Sequence, residues 1–198
     1  MNIELAKKED ALEIAKIHKA EINKGFLSTL NVSFLGNIYA AIIDSKENFC
    51  LVAMEDGRVI GFISGVSDLD TFYSNFFKKY FFSSLTILFR KFFSISFIIK
   101  AFETLLYPVK EKALPKAELL TMAVRSEFHG KGIAGQMFNE FVLQMQKRGI
   151  VSFKVLVGEE LKPAIGFYEK VGFTFLKNTT VHGNNTSRIY IFTIKDQK

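Results

Sequence analysis

Two glycines flank a lysine in Gly130-Lys131-Gly132, between an apolar run and a run with helical spacing. Leu119, Leu120, Met122 and Val124 precede this turn, and the stretch from Gly132 to Arg148 follows it. Glycine admits torsions and close backbone approaches that a side chain blocks. A strand–turn–helix of this composition, Val124 to Ala134, aims successive backbone N–H groups at one point beside the positive end of a helix. A phosphate or pyrophosphate suits that point, so the turn predicts a phosphorylated cofactor. The competing reading is a glycine-bearing connection that holds nothing. There is no GxxxxGK[ST], and no GxGxxG follows an early strand, which argues against a triphosphate loop and a dinucleotide fold.

A second segment, Leu161 to Phe173, reads LKPAIGFYEKVGF. Pro163 suits the first turn of a helix. Ala164, Ile165, Phe167, Tyr168 and Val171 continue at helical spacing, and Gly172 provides a C-terminal stop. Together the two segments resemble the GNAT superfamily of acyl-CoA N-acyltransferases. Its [Q/R]xxGx[G/A] turn is matched by His129, Gly132 and Ala134, and its AxxxYxxxGF pattern by Ala164, Tyr168, Gly172 and Phe173. The likeness extends over most of the chain, and the order and separation of the two motifs make the pair specific. His129 departs from the usual Arg or Gln. Backbone amides hold the phosphates in the family, so this change is expected to cost little binding, and it places an ionisable ring near them.

The resemblance implies an α/β fold of the α+β type, with a mixed, mostly antiparallel twisted sheet flanked by helices. It implies acetyl-CoA as cosubstrate and a primary amine as acceptor, which attacks the thioester directly. Tyr168 would protonate the departing thiolate; a phenol of pKa about 10 stays protonated at neutral pH. The alternative for Tyr168 is an amphipathic-helix residue with its hydroxyl in water. Backbone groups of Met122, Ala123 and Val124 would meet the pantetheine arm, with the Val124 N–H on the thioester carbonyl. Turn amides from Gly130, Lys131, Gly132, Ile133 and Ala134 would hold the pyrophosphate. Lys131 either adds charge there or stays solvated. Glu118 is the first candidate for the base, or else an edge carboxylate in solvent; Glu21, Glu159 and Glu160 are others. Strand alternation places Glu118, Leu120 and Met122 on one face.

These residues need a scaffold, and composition permits one. With 198 residues and 48% apolar content, the chain is read as one domain with one good core. Charges at Lys7, Lys8, Glu9 and Asp10 break any leader-like apolar run. One cysteine, Cys50, rules out an internal disulfide and fits a reducing, cytoplasmic compartment; it reads as a small buried residue. Three scattered histidines offer no metal-ligand spacing, so no metal is expected. A net charge of +6 carries no aromatic–basic recognition motif, so no nucleic-acid partner is expected.

Periodicity predicts strands over 2–6, 49–55, 58–67, 118–124, 152–157, 174–181 and 186–195. It predicts helices over about 10–21, 32–45, 132–148 and 163–171. Asp10 is read as a helix cap, and Leu12, Ile14, Ala15 and Ile17 as an apolar stripe. Glu55-Asp56-Gly57 and Gly183-Asn184-Asn185 are read as turns. An insertion at about 68–114 stands outside this plan. Ten of the 22 phenylalanines lie between Asp70 and Pro108, and between Asp70 and Lys112 seven Lys or Arg face three Asp or Glu. Tyr73, Phe76, Phe77 and Tyr80 share one helical face, and Ile95, Ile99, Phe102 and Leu106 another. Lys78, Lys79, Arg90, Lys91 and Lys100 leave no transmembrane run of about 18 residues. The insertion is therefore extra core or a homodimer surface, a wall over the acceptor pocket, or a peripheral membrane contact.

The acceptor pocket is assigned to the first two helices, their connection and whatever the insertion covers, with Phe26 and Leu27 either in its lining or forming a hydrophobic staple. The length of the insertion favours a small-molecule amine such as an amino sugar. Two rivals remain at this point: a protein or peptide N-acetyltransferase, and a non-catalytic CoA-binding module that uses the insertion to engage a membrane or partner.

Overall fold

The computed structural model describes residues 1–25, 27–76, 114–182 and 185–195. Strand β1 (Asn2–Leu5), helices α1 (Ala11–Glu21) and α2 (Val32–Ile43), and strands β2 (Phe49–Glu55) and β3 (Arg58–Val66) precede the central strand β4 (Glu118–Val124). Helix α3 (Ile133–Lys147), β5 (Ser152–Gly158), α4 (Lys162–Lys170), β6 (Thr174–His182) and β7 (Asn185–Thr193) follow. The strands form one seven-stranded sheet in the order β1-β2-β3-β4-β5-β7-β6. Every junction is antiparallel except β4–β5. This is the mixed, mostly antiparallel sheet flanked by helices that the resemblance implies.

Period-two alternation splits the core between the two faces of the sheet. In β2, Phe49, Leu51 and Ala53 pack with Phe138, Phe141 and Met145 of α3. Cys50 and Val52 turn the other way, toward Ile14 and Ile17 of α1 and Ile38 and Ile42 of α2. Cys50 is 1% exposed, as a small core residue should be. The β2–β3 hairpin closes through Asp56 and Gly57, both at positive φ (50° and 75°), the torsions a two-residue hairpin turn requires.

Two local expectations fail for physical reasons. Asp10 makes no side-chain cap to α1; its Oδ2 accepts the Lys7 N–H at 2.7 Å and closes the preceding 3-10 turn. Leu12 leaves the apolar stripe and is 51% exposed, whereas Ala11 and His18 join Ile14, Ala15 and Ile17 in the core. Asn31 does cap α2, its Oδ1 accepting the Phe34 N–H at 2.8 Å. Residues 69–76 are helical, and Phe72 and Phe76 are buried against the α1–α2 side. The remaining apolar faces and cations of the insertion, together with Phe26 and the Gly183-Asn184 turn, lie outside the described residues. Among those described, no helix is long and apolar enough to cross a membrane.

One glycine is fixed by packing. A Cβ on Gly65 would lie 2.7 Å from Phe141 Cε2 and 2.9 Å from Met145 Cε. The Phe141 ring is itself wedged against Phe49, Phe138 and Phe153, so it has little room to yield. Gly65→Ala is expected to cost about 1–3 kcal/mol of stability, measured by urea unfolding; an unchanged midpoint would show that α3 moves freely over the sheet.

Candidate active site

The parallel junction opens into a cleft. β4 and β5 pair only at Glu118 and Lys154, near the start of both strands, and beyond that point they part. Lys154 N–H reaches back to the Ala117 carbonyl at 3.0 Å. Toward their C-terminal ends Thr121 and Met122 on one side, and Leu156, Val157 and Gly158 on the other, line a cleft of about 390 Å³. The register with β3 sets which backbone groups of β4 face this gap. Arg125 N–H donates to the Ile60 carbonyl at 2.8 Å, which makes Gly61–Val124 a non-hydrogen-bonded pair. Met122 and Val124 therefore turn their N–H and C=O away from β3, toward the parting. Ala123 spends its own on Phe62, so of the three residues expected to meet a pantetheine arm only two offer main-chain groups.

A bulge adds to the lining. Thr121 pairs with Ser64 and Leu119 with Gly65, leaving Leu120 as an extra residue. Strict alternation is broken there, and Glu118, Leu120, Thr121 and Met122 all reach the cleft wall.

β4 runs into the glycine turn, where Gly130 and Gly132 take φ of 76° and 77°. A Cβ at either would meet nothing within 4 Å, so open space surrounds the bend. Gln136 N–H is the first in α3 to bond back, to the Gly132 carbonyl at 3.2 Å. The amides of Ile133, Ala134 and Gly135 ahead of it have no intrahelical acceptor. His129 folds its ring back, Nε2 donating to the Val124 carbonyl at 2.7 Å. Lys131 Nζ stands 4.6 Å from the Phe128 ring centroid. The bend thus presents main-chain donors, a nearby cation and no obstruction, which fits a pyrophosphate.

Tyr168 lines the cleft from α4 and is 7% exposed, so its hydroxyl is not simply in bulk water. Burial, then the charge of Glu118, pushes its phenol well above the ordinary value. Glu118 is 5% exposed rather than a solvated edge residue, with Oε2 3.4 Å from Lys154 Nζ. Burial raises its carboxyl above the usual range, and Lys154 only partly offsets this. The other carboxylates differ in their commitments. Glu21 Oε1 accepts the Ser126 N–H at 3.1 Å, and Glu159 is held below its usual pKa by Arg188, 2.7 Å away. Glu160 lines the cleft beside Leu161 and Ala164. Leu27 lines it too, and the helical start of the insertion contributes Leu69 and Tyr73. Among the described residues no three potential metal ligands gather.

Sequence reasoning passed over Lys154 and a buried polar chain. His18 Nδ1 lies 2.5 Å from Tyr39 Oη, Tyr39 Oη 3.0 Å from Thr121 Oγ1, and Thr121 Oγ1 2.8 Å from Ser64 Oγ. The one available signal was a histidine on the apolar face of α1.

A family model described as Acetyltransferase (GNAT) family matches residues 21–173. The chain belongs to the GNAT acetyltransferase family. It is accordingly an acyl-CoA-dependent N-acetyltransferase, as the paired turn and tyrosine motifs imply. Solved GNAT structures share the fold at low identity. Ard1 from Thermoplasma volcanium is 14% identical, with 98% of each chain covered and a TM-score of 0.63. The ribosomal-protein-S18-alanine N-acetyltransferase of Escherichia coli is also 14% identical, over 100% of this chain and 96% of its own, at a TM-score of 0.61. The acetyltransferase yncA of Salmonella typhimurium, solved with acetyl-CoA, covers the same shares at 14% identity and a TM-score of 0.59. A comparison with curated protein sequences finds no match.

Proposed function

We propose that this GNAT enzyme acetylates the primary amine of a small molecule, an amino sugar being the model acceptor. The supporting observation is the wall that Leu69 and Tyr73 add to the cleft from the first turns of the insertion. A groove for a long peptide has no need of such a wall. Glu21, Glu118 and Glu160 on the lining also favour an acceptor that arrives as a cation. In the reaction the acceptor first gives one proton to solvent; the neutral amine nitrogen then bonds to the acetyl carbon, the carbon–sulfur bond breaks, and nitrogen loses its second proton. Glu118, desolvated and hence more basic, takes that proton. The Val124 N–H faces the parting and polarises the thioester carbonyl. Tyr168 gives its proton to the sulfur. The bend from Gly130 to Ala134 holds the pyrophosphate, with His129 bracing it through the Val124 carbonyl.

Thiol release from acetyl-CoA, followed with glucosamine, n-butylamine and a peptide beginning in alanine, tests the reading. Turnover of glucosamine or n-butylamine is expected to exceed that of the peptide. A preference for the peptide would replace the small-molecule acceptor with a protein one. Coenzyme binding without turnover of any amine would leave a binding module.

The bend makes its own prediction. Gly132→Val forces a β-branched residue to φ near 77°. Acetyl-CoA affinity measured by calorimetry is expected to fall about tenfold or more, from the strain alone. Unchanged affinity would remove the bend from the binding site.

A further inference from the structure

His18 is buried with one ring nitrogen bonded to Tyr39 and the other without a partner among the described residues. It is 1% exposed on α1, among Ala11, Ile14, Ala15 and Ile17, and stacks on Phe62 with ring centroids 6.3 Å apart. It also lines the cleft, as Tyr168 does. Its Nε2 has no hydrogen-bond partner among the described residues. A buried polar nitrogen without a partner is costly, and this one belongs to a residue of the cleft wall.

Counting protons along the chain shows what that nitrogen offers. In one direction Nδ1–H donates to Tyr39, Tyr39 to Thr121 Oγ1, and Thr121 to Ser64. Ser64 then donates to the Thr121 carbonyl, 3.4 Å away. Every proton finds an acceptor, and Nε2 is left as a bare lone pair. In the reverse direction Nε2 carries a proton with nowhere to go, and buried orphan N–H groups are rarer than under-used acceptors. Burial, then Lys19, lowers the His18 pKa to about 4, so the ring is neutral. Burial holds the Tyr39 phenol protonated.

We propose that His18 Nε2 is an acceptor-amine subsite: it accepts one N–H of the neutral primary amine and so aims the nitrogen lone pair at the thioester. A primary amine has two N–H groups. One is held by His18, and the other is lost as the carbon–nitrogen bond forms. The subsite rests on the transferase reading, but one of its two tests does not.

That test is long-range proton–nitrogen NMR of the uniformly labelled wild-type protein without ligands. His18 is expected to show an unprotonated Nε2 and a protonated Nδ1; a protonated Nε2 would overturn the subsite, whether or not the protein turns over any amine. The second test is kinetic. His18→Asn keeps a donor for Tyr39 and removes the Nε2 acceptor. With whichever of glucosamine, n-butylamine and the alanine peptide the wild type uses fastest, kcat/KM is expected to drop on the order of 100-fold. Acetyl-CoA affinity and melting temperature should stay near wild type. His18→Gln carries an oxygen toward the Nε2 position and is expected to recover about tenfold of the loss, a rescue that a merely structural role would not give. Wild-type rates in His18→Asn would sink the proposal. Failure of the wild type on all three amines would instead sink the transferase reading, and the nitrogen shifts would still judge His18.

Discussion

Replacing Tyr168 by phenylalanine is expected to lower kcat about 10²- to 10⁴-fold, the range for loss of a general acid. The substitution removes one oxygen and keeps the ring, whose centroid lies 5.2 Å from that of Phe173 and 5.6 Å from that of Phe167. Stability and acetyl-CoA affinity should therefore change little. Burial and the Glu118 charge hold the phenol above its ordinary value of 10.0. It stays protonated across the working pH range, and it lines the cleft together with Glu118. A high pKa makes a weak acid toward water, but an alkyl thiolate forming in a dry cleft is a strong base. The wild-type rate is thus expected to show no fall from Tyr168 ionisation below about pH 10. If Tyr168→Phe keeps acetyl transfer within a few-fold of wild type on every amine that works, the sulfur receives its proton elsewhere, from water or the turn.

Much of this arrangement was legible in the sequence, and the boundary of what was legible is physical. The Asp56-Gly57 hairpin, the alternation of β2 and the Pro163 start of α4 depend on a few neighbouring residues, and they stand where periodicity places them. The motif pair around Gly132 and Tyr168 carried the family because each half is written in local backbone or helix geometry. What was missed depends on partners far apart in the chain. His18 meets Tyr39 across two helices, and Tyr39 meets Thr121 on a central strand. No local pattern encodes those bonds. The bulge at Leu120 is a property of pairing with β3, so alternation read from β4 alone placed Thr121 off the cleft face. Asp10 failed as a cap because the Lys7 amide claimed its carboxylate first. Resemblance left Glu118 as either a base beside the reaction centre or a solvated edge carboxylate; its buried pairing is with a lysine on β5, a strand distant in sequence.

That lysine carries the other large expected effect. Lys154 is 3% exposed and Glu118 5% exposed, so both charges are out of water. Nζ donates to the Pro115 carbonyl at 2.6 Å as well as facing Glu118 Oε2 at 3.4 Å. Lys154→Met keeps the length and apolar bulk of the side chain but leaves a buried carboxylate unpaired, a change expected to cost about 3–5 kcal/mol near neutral pH. The pH dependence follows from proton binding. Burial already raises folded Glu118 above its ordinary 4.5, and removal of Lys154 raises it further. Between the unfolded and folded values the native state binds more protons than the unfolded state, so stability falls as pH rises through that window. The Lys154→Met deficit should therefore be largest at about pH 8, shrink at about pH 5, and lose its charge component below the unfolded value. Urea unfolding of both proteins at each pH measures it. A deficit that is constant with pH, or that grows on acidification, would show that Glu118 is already neutral or solvated in the native protein. It could then neither pin the closed end of the β4–β5 parting through its charge nor serve as the stronger base that amine attack requires.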